Sequence, residues 1–562
     1  MKNYFLKDYS LFVSAKILSW FFRAMPMNAA LYLAKSIGTL GYYLDKKHSK
    51  LVYTNIKIAF GENKSLKEIK EITKQSFQNF CQHIVEVLCL PKISHGYIEK
   101  HVKFENRHVI SDLIEKKQAM ILSSMHFGSW ELSFVLCDRL GPPFRIIARE
   151  HEKYKMTDKL LSAYRQMRPD SVLYRGDSPR EMIRIIKSNE ILGIVIDQGG
   201  REGQLVKFFG KNASMPTGAL RLALKFDVPI IVTFIIRESG PYHKIILKRL
   251  DLENTGDIEK DIQTNLKKIA TLGEEMISKY PQQYMWFYKI WKYSDERKII
   301  VLNDGKAGHL RQSQTVADIL VKELEKRNLK AGVEILDAKF KNRFSQALLA
   351  LCSVPAKRRH CLGCLWCLGK FLDDSSYRKI STAKADFIVS CGSALSNLNY
   401  ILSNDNSAKS ISILKPNLLG TNRFDLVIMP EHDFPAKRKN IAITNGSLNL
   451  IDEDYLNEQS RRLVTKIPAL DKERKTRIGV FIGGDTKRYQ ISYDAVRDLV
   501  SEIKKTSEEL DLQILLTTSR RTPADIEELI KRDLNGFSRC RLLIIANQNN
   551  IPEAVGGIMG LS

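Results

Sequence analysis

Apolar and polar positions divide the chain into a helical start followed by repeated alternation of short strands and helices. Leu11, Ala15, Leu18 and Phe22 fall on one helical stripe, with Lys16, Ser19 and Arg23 near one another on the opposite side. Charges punctuate this stretch and Pro26 follows it, so the pattern favours an amphipathic helix lying in a headgroup zone, with packing on its own domain or a single N-terminal span as the alternatives. Ser65 to Val87 is a long periodic run, and Ser65 with Glu68 forms a capping-box pattern. From 104 onward the period changes. Ala119–Ser124, Ile191–Ile196 and Pro229–Ile236 are short apolar runs that predict buried strands with helices between them.

The alternation restarts after a polar junction at 293–298. Strands are predicted at Lys298–Leu302, 385–390, 411–414 and 425–429, with a helix from about Ser313. After the charged stretch Lys472–Thr476 it restarts again, with strands at Ile478–Gly484, 513–517 and 541–545. The fold class is therefore α/β with mainly parallel sheets. The expected divisions are membrane-associating helices over 1–50, an α/β domain over 51–293, a second α/β lobe over 298–471 and a third over 477–562. The last is short for a doubly wound unit and is expected to be incomplete.

Composition narrows the function. Of 562 residues, 44% are apolar and 27% charged, which excludes a mainly disordered, collagenous or coiled-coil protein. Lys and Arg total 88 against 63 Asp and Glu, a net +25 that calls for an anionic partner: a membrane surface, a phosphorylated substrate or nucleic acid. No aromatic-basic motif supports nucleic acid, and none is expected as a partner. Nine cysteines, an odd number, suit a reducing compartment. His360, Cys361, Cys364 and Cys367, with Cys352, have ligand chemistry. Yet Leu362, Leu365, Trp366 and Leu368 interleave them behind Lys357-Arg-Arg359, which reads as an apolar helix with a basic collar, and no metal is expected.

Two constellations carry chemistry. Met125-His126-Phe-Gly-Ser-Trp-Glu131 directly follows a predicted strand, where α/β folds place their sites. Residues five apart do not share a helical face, so His126 belongs in the loop and Glu131 on the first turn of the next helix. There Glu131 could accept from one ring nitrogen and leave the other free as a base. This stretch resembles the H-x4-D/E motif of the lipid A biosynthesis acyltransferase family, the lauroyl and myristoyl transferases. Four further blocks follow that family's order: Leu51–Phe60, Ile196-Asp-Gln-Gly-Gly200, Val206–Lys211 with Pro216-Thr-Gly-Ala219, and Gln283–Lys289. The resemblance covers about 1–293. It implies His126 as general base and Glu131 as its orienting carboxylate. It implies Arg165 and Asp197 as further active-site positions on the substrate side, with Arg149 and Arg175 placed to meet phosphate. Tyr288 stands where the family often has His.

The second constellation is Asn303-Asp304-Gly305-Lys306-Ala-Gly-His309, a glycine-containing turn between a predicted strand and helix. With Pro430-Glu431-His432-Asp433, Ile443–Gly446, Gly483-Gly-Asp485 and Thr518–Pro523, it resembles the mitochondrial-fission ELM family. That resemblance covers 298–562 and implies two Rossmann-like lobes of the GT-B glycosyltransferase type. Asp304, Lys306, His309, Glu431 and His432 are its candidate site residues.

Together these resemblances imply an acyltransferase fused to a glycosyltransferase-like domain. The donor is expected to be an acyl-carrier-protein or CoA thioester, used as a co-substrate with no cofactor. The acceptor is a lipid A-type glycolipid in an anionic membrane, met at the cytoplasmic face of the bacterial inner membrane. The alternatives are another phospholipid or glycolipid acceptor, with the C-terminal half a non-catalytic membrane-docking module.

Overall fold

The computed structural model describes the whole chain except residues 1, 133–142, 149–153, 166–171, 175–177, 357–364, 450, 472–474 and 487–488; of 2–4, 148, 165, 174, 178 and 366 only the backbone is described. It divides into two compact units, Met1–Ser447 and Leu448–Ser562.

Unit one opens with four helices: α1 (Lys2–Ala24), α2 (Met27–Leu44), α3 (Lys46–Phe60) and α4 (Leu66–Cys89). The Ser65–Glu68 capping box is formed at the start of α4. The seat of α1 differs from its apolar stripe. Asp8, Ser19 and Phe22 are buried, whereas Leu11 and Leu18 stay exposed. Polar anchors set this orientation. Asp8 accepts from the Met156 and Thr157 amides at 2.8 and 3.1 Å, and the Ser19 hydroxyl donates to Leu88 O at 2.8 Å. Phe5, Leu6, Ile17 and Trp20 consequently face outward, Trp20 at 74% exposure. Among the described residues no helix is long and apolar enough to cross a membrane.

A seven-stranded sheet follows, built from β1 (Val102–Glu105), β2 (Met120–Ser124), β3 (Phe144–Ala148), β4 (Val172–Tyr174), β5 (Ile191–Val195), β8 (Ile230–Ser239) and β9 (Tyr242–Arg249). Its order is β1-β9-β8-β2-β5-β3-β4, parallel except for the β8–β9 pair. Strand β2 is buried throughout because both faces are covered: Ile121 enters the core shared with α3, α4 and helix Ile258–Lys279, while Met120 and Leu122 enter the core on the other face. A separate hairpin joins β6 (Gln204–Phe208) to β7 (Lys211–Met215).

Still within unit one, six parallel strands form a second sheet: β10 (Glu296–Asn303), β11 (Lys330–Asp337), β12 (Phe387–Cys391), β13 (Lys409–Ile413), β14 (Leu426–Pro430) and β15 (Ile441–Thr444), in the order β11-β10-β12-β13-β14-β15. The β6–β7 hairpin grips its first strand. Lys207 pairs with Glu296, Asn212 donates to Glu296 and to Asp295, and Lys211 meets Asp386 at 3.1 Å. The polar junction at 293–298 is thus held by partners on both sides. A second fastening is deeper. Lys57 of α3 lies 2.5 Å from Asp405 at the end of helix Ser393–Asn406, with side-chain exposures of 2% and 0%.

Unit two contains β16 (Arg477–Ile482), β17 (Gln513–Thr518) and β18 (Cys540–Ile544), parallel and in that order. Helices cover both faces, with Val500, Ile514 and Leu529 in one core and Leu463, Leu515 and Ile558 in the other. The Gly483-Gly-Asp and Ser519–Thr522 segments meet here at adjacent strand ends. Thr522 Oγ1 donates to Gly483 O, the Asp485 amide donates to Arg521 O, and Gly484 leaves no room for a Cβ against Arg521.

Candidate active site

The site grows out of strand register. β2 and β5 are neighbours, with Ser124 opposite Val195. Two residues further along each strand stand His126 and Asp197, side by side at the carboxyl end of the sheet. The Nδ1 of His126 is 2.6 Å from Asp197 Oδ1, and the His126 amide donates to Oδ2 at 3.2 Å. Both carboxylate oxygens therefore hold one histidine by its ring and its backbone.

The loop carrying His126 is fixed from behind. Gly128 adopts φ +58, and a Cβ there would lie 1.8 Å from Ile235 O. Its amide donates to Gln283 O at 2.7 Å, and the Met285 amide donates to His126 O at 2.9 Å. The Gln283–Tyr288 segment thus wraps the histidine loop. Asn55 of α3 pins that segment in turn, donating to Trp286 O and Tyr288 O at 2.8 and 2.7 Å. Sequence blocks far apart along the chain meet at one place.

Electrostatics follow from this packing. Burial opposes charge on Asp197, but His126 and the Tyr284 hydroxyl outweigh it and hold the carboxyl below its ordinary range. Burial also disfavours the imidazolium of His126. The Asp197 charge overrides this, with a smaller contribution from Glu131, and His126 is raised above its ordinary value. Tyr284 and Tyr288, buried beside that carboxylate with their hydroxyls 2.6 Å apart, are pushed far up and stay protonated. Tyr288 donates to Asp197 O at 3.2 Å.

Two sequence expectations are corrected here. Asp197, not Glu131, occupies Nδ1 of His126; Glu131 stands on the opening turn of the next helix and acts on the ring through its charge. Nor does Asp197 line the substrate side, since it is buried behind the histidine with 3% exposure. Arg149 and Arg175 lie outside the described residues. Arg165 closes helix Lys155–Arg165, and its side chain lies outside them too. Of the cysteine cluster, His360, Cys361 and Cys364 are likewise outside; among the described residues no group of His, Cys, Asp and Glu is arranged to hold a metal.

Sequence reasoning missed a buried cluster beneath the loop. Glu86 of α4 accepts from both terminal nitrogens of Arg237 at 2.6 Å, from Ser129 Oγ, and lies 3.2 Å from His243 Nε2. Despite its burial, Arg237 and His243 hold Glu86 below the usual carboxylate range. The signal in the sequence was Glu86 standing on the apolar stripe of α4; in the fold His83, one turn before it, packs against Trp130 with ring centroids 3.7 Å apart and planes tilted by 32°.

In the second sheet, Asp304 and His309 are together, with Nδ1 of His309 2.8 Å from Asp304 Oδ2 and Lys306 Nζ at 3.3 Å from the same oxygen. Glu431 and His432 sit on a short turn after β14, three strands from β10 in the sheet order, and do not join them. The helix predicted from about Ser313 starts earlier, at Ala307.

A histidine held by a buried carboxylate at the carboxyl end of a parallel sheet has the geometry of a general base. Comparison with known proteins specifies the reaction it serves. The profile described as bacterial lipid A biosynthesis acyltransferase matches residues 4–293, and the chain belongs to that family. The profile described as mitochondrial fission ELM1 matches residues 307–558. The lipid A biosynthesis lauroyltransferase of Escherichia coli (strain K12) is 23% identical over 282 residues, covering 49% of this chain and 90% of that protein. The protein is thus an acyltransferase fused to a glycosyltransferase-like domain.

Proposed function

We propose that the protein moves a fatty acyl chain from an acyl-carrier-protein thioester, or a CoA thioester, to a hydroxyl of a phosphorylated lipid A-type glycolipid. The acceptor is met at the cytoplasmic face of the bacterial inner membrane. The observation that carries this reading is the pairing of His126 with Asp197. With Nδ1 committed to Asp197, Nε2 takes the acceptor hydroxyl's proton as its oxygen attacks the thioester carbonyl. The departing thiolate recovers that proton from the imidazolium, so no covalent acyl-enzyme is required. Asp197 stabilises the cation between the two transfers, and Tyr288 and Tyr284 stabilise Asp197.

Charge supports an anionic acceptor and an acidic carrier. A cleft of about 1510 Å³ opens beside Tyr288, and Lys47, Lys50, Lys289 and Lys292 are among its lining residues. Cations in this position attract phosphate and steer an acidic protein. The outward apolar residues of α1 support seating on a membrane surface.

The deciding experiment incubates wild-type protein and His126→Ala with acyl-carrier-protein thioester and a tetra-acylated lipid A precursor, with product read by mass. Product from wild type alone supports the reading. Product obtained only with acyl-CoA and another lipid would keep the chemistry and discard this acceptor. No transfer to any lipid by folded protein would overturn the reading.

A further inference from the structure

The helix Arg343–Ser353, which lies between β11 and β12 in the chain, is seated with its apolar side outward. Its buried residues are Ser345, Leu349, Ala350 and Ser353. Phe344, Leu348, Leu351 and Val354 are exposed, Phe344 at 74% and Leu351 at 59%. At helical spacing these four fall on one continuous face, the stripe that a helix of a globular domain ordinarily turns toward the core. A contiguous apolar patch left outside marks a contact surface.

The orientation is fixed by polar partners on the inward side. The Ser345 amide donates to the capping Asn342 Oδ1 at 2.7 Å. The Ser353 hydroxyl donates to Asn397 Oδ1 at 2.8 Å, on helix Ser393–Asn406. Arg423 donates to the carbonyls of Ser353, Val354 and Ala356 at 3.1, 2.6 and 2.8 Å, which fastens the carboxyl end. Turning the helix to bury Phe344 would pull Ser353 out of its site and break these bonds. The outward face is therefore set by the packing of the lobe.

Charge identifies what covers the face. Residues 338–372 include seven Lys and Arg and no Asp or Glu. Lys341 and Arg343 are exposed at the amino end of the helix, and Lys357-Arg-Arg359 follow its carboxyl end in the sequence. An apolar stripe with cations before and after it suits a helix lying in the headgroup layer of an anionic bilayer, where lipid phosphates meet the cations and acyl chains meet the stripe. A second copy of the chain would bring the same positive charges against these, which disfavours self-pairing.

We propose that helix Arg343–Ser353 is a membrane-contact surface of the first glycosyltransferase-like lobe, and that its partner is an anionic lipid bilayer. This contact is separate from α1 and does not depend on the acyl-transfer reading. Both helices belong to the one compact unit Met1–Ser447. Each contact raises the effective concentration of lipid at the other, so the two together hold the unit more tightly than either alone. The lobe then meets the leaflet by its own surface instead of being carried there by α1.

The test uses the full chain and Cys352, an exposed free thiol one turn from Leu348. A charged, water-soluble maleimide alkylates it, and trypsin releases it in the peptide Phe344–Lys357 for mass spectrometry. Vesicles containing phosphatidylglycerol should slow alkylation of Cys352 by about tenfold, and pure phosphatidylcholine vesicles by less. Leu348→Ser with Leu351→Ser should remove that protection and weaken flotation with the anionic vesicles by at least about tenfold. Circular dichroism should be unchanged, because both side chains are exposed. Ile17→Ser with Trp20→Ser, which addresses α1, should leave Cys352 protected at lipid concentrations that still bind the protein. Absence of vesicle binding, or vesicle-bound protein whose Cys352 reacts at the free rate, would overturn the proposal. Protection by an acidic protein such as acyl carrier protein but not by vesicles would overturn it in favour of a protein-docking surface. Protection that grows with protein concentration in the absence of lipid would overturn it in favour of a second copy. Equal protection by phosphatidylcholine would overturn the role of the flanking cations.

Discussion

Asp197 Oδ1 stands 2.6 Å from Nδ1 of His126, and this contact fixes which proton the histidine can move. The carboxylate raises His126 above its ordinary value, so the neutral, basic form accumulates only as pH rises through that raised value. The acid limb of acyl transfer should therefore lie above the pH of about 6.5 at which a free histidine titrates. Asp197→Asn removes the raising charge and leaves burial, which acts in the opposite direction. The acid limb should move to lower pH while the plateau rate falls by about 10²- to 10⁴-fold, the range typical of a lost acid–base contribution. A pH–rate profile of kcat/KM for both proteins checks this; an unmoved limb would show that Asp197 does not govern the base.

Glu86 and Arg237 form the buried support beneath the same loop, with side-chain exposures of 2% and 6%. Arg237→Met would leave a buried carboxylate without its main counter-ion. Removal of one partner of such a pair costs about 3–5 kcal/mol, and denaturant unfolding should show a loss of that size. The pH sign is definite. Glu86 is held below its usual range, so its contribution is complete above the unfolded carboxyl's titration near pH 4.3 and is lost as pH falls toward the lower folded value. Wild type should lose stability on acidification below that point more steeply than Arg237→Met.

The histidine loop tolerates one residue at 128. Gly128 sits at φ +58 with Ile235 O where a Cβ would fall. Gly128→Ala must both enter a strained backbone region, at about 1–3 kcal/mol, and push the loop off β8. Acyl transfer should fall further than for a surface substitution such as Lys267→Ala, and melting temperature should drop with it. Equal activity in the two variants would show that the loop has slack that the close approach does not suggest.

Much of this arrangement was legible in the sequence, and what was not has physical reasons. The apolar run Ala119–Ser124 announced β2 because a strand covered on both faces has little room for polar side chains. The pairing of His126 with Asp197 was hidden. It depends on the Ser124–Val195 register between residues 71 apart, whereas Glu131 was near in sequence and chemically plausible. Strand β11 escaped notice because it is an edge strand carrying Lys330, Glu334 and Asp337. The β6–β7 turn at Phe209-Gly210 also ran against local preference, since Phe209 takes φ +50. Its ring packs against Phe60 at 5.1 Å, which helps hold the turn. On α1, the buried Asp8 and Ser19 set the seat of the helix through partners distant in the chain, which its apolar stripe could not announce, and Leu11 and Leu18 of that stripe remain exposed.

Lys57 and Asp405 tie the acyltransferase domain to the first glycosyltransferase-like lobe, and their burial makes the tie consequential. Lys57→Ala or Asp405→Ala alone leaves one buried charge and should cost about 3–5 kcal/mol, whereas Lys57→Met with Asp405→Leu should cost much less. Unfolding of the three variants checks this. A coupling near zero would mean that the charges reach water despite their packing. Because Asn55, two residues before Lys57, holds Tyr288 behind Asp197, the single variants should also lower kcat, more than they raise KM.

The outward face of α1 leads to a prediction about membranes. Phe5, Leu6, Ile17 and Trp20 are exposed on a helix whose seat is already fixed by Asp8 and Ser19, so their exposure is not slack in the packing. Lys7, Lys16 and Arg23 are exposed on the same helix and supply attraction to an anionic leaflet. Fully burying a large apolar side chain contributes about 1.5–3 kcal/mol, so Ile17→Ser with Trp20→Ser should weaken binding to anionic vesicles by at least about tenfold. Added salt should weaken the wild type only in part, because the apolar contribution is not screened. Flotation with anionic and zwitterionic vesicles separates the two contributions. Binding unchanged by the double substitution would move the membrane contact away from α1, and the basic cleft beside Tyr288 would be the next surface to test by charge reversal at Lys47 and Lys289.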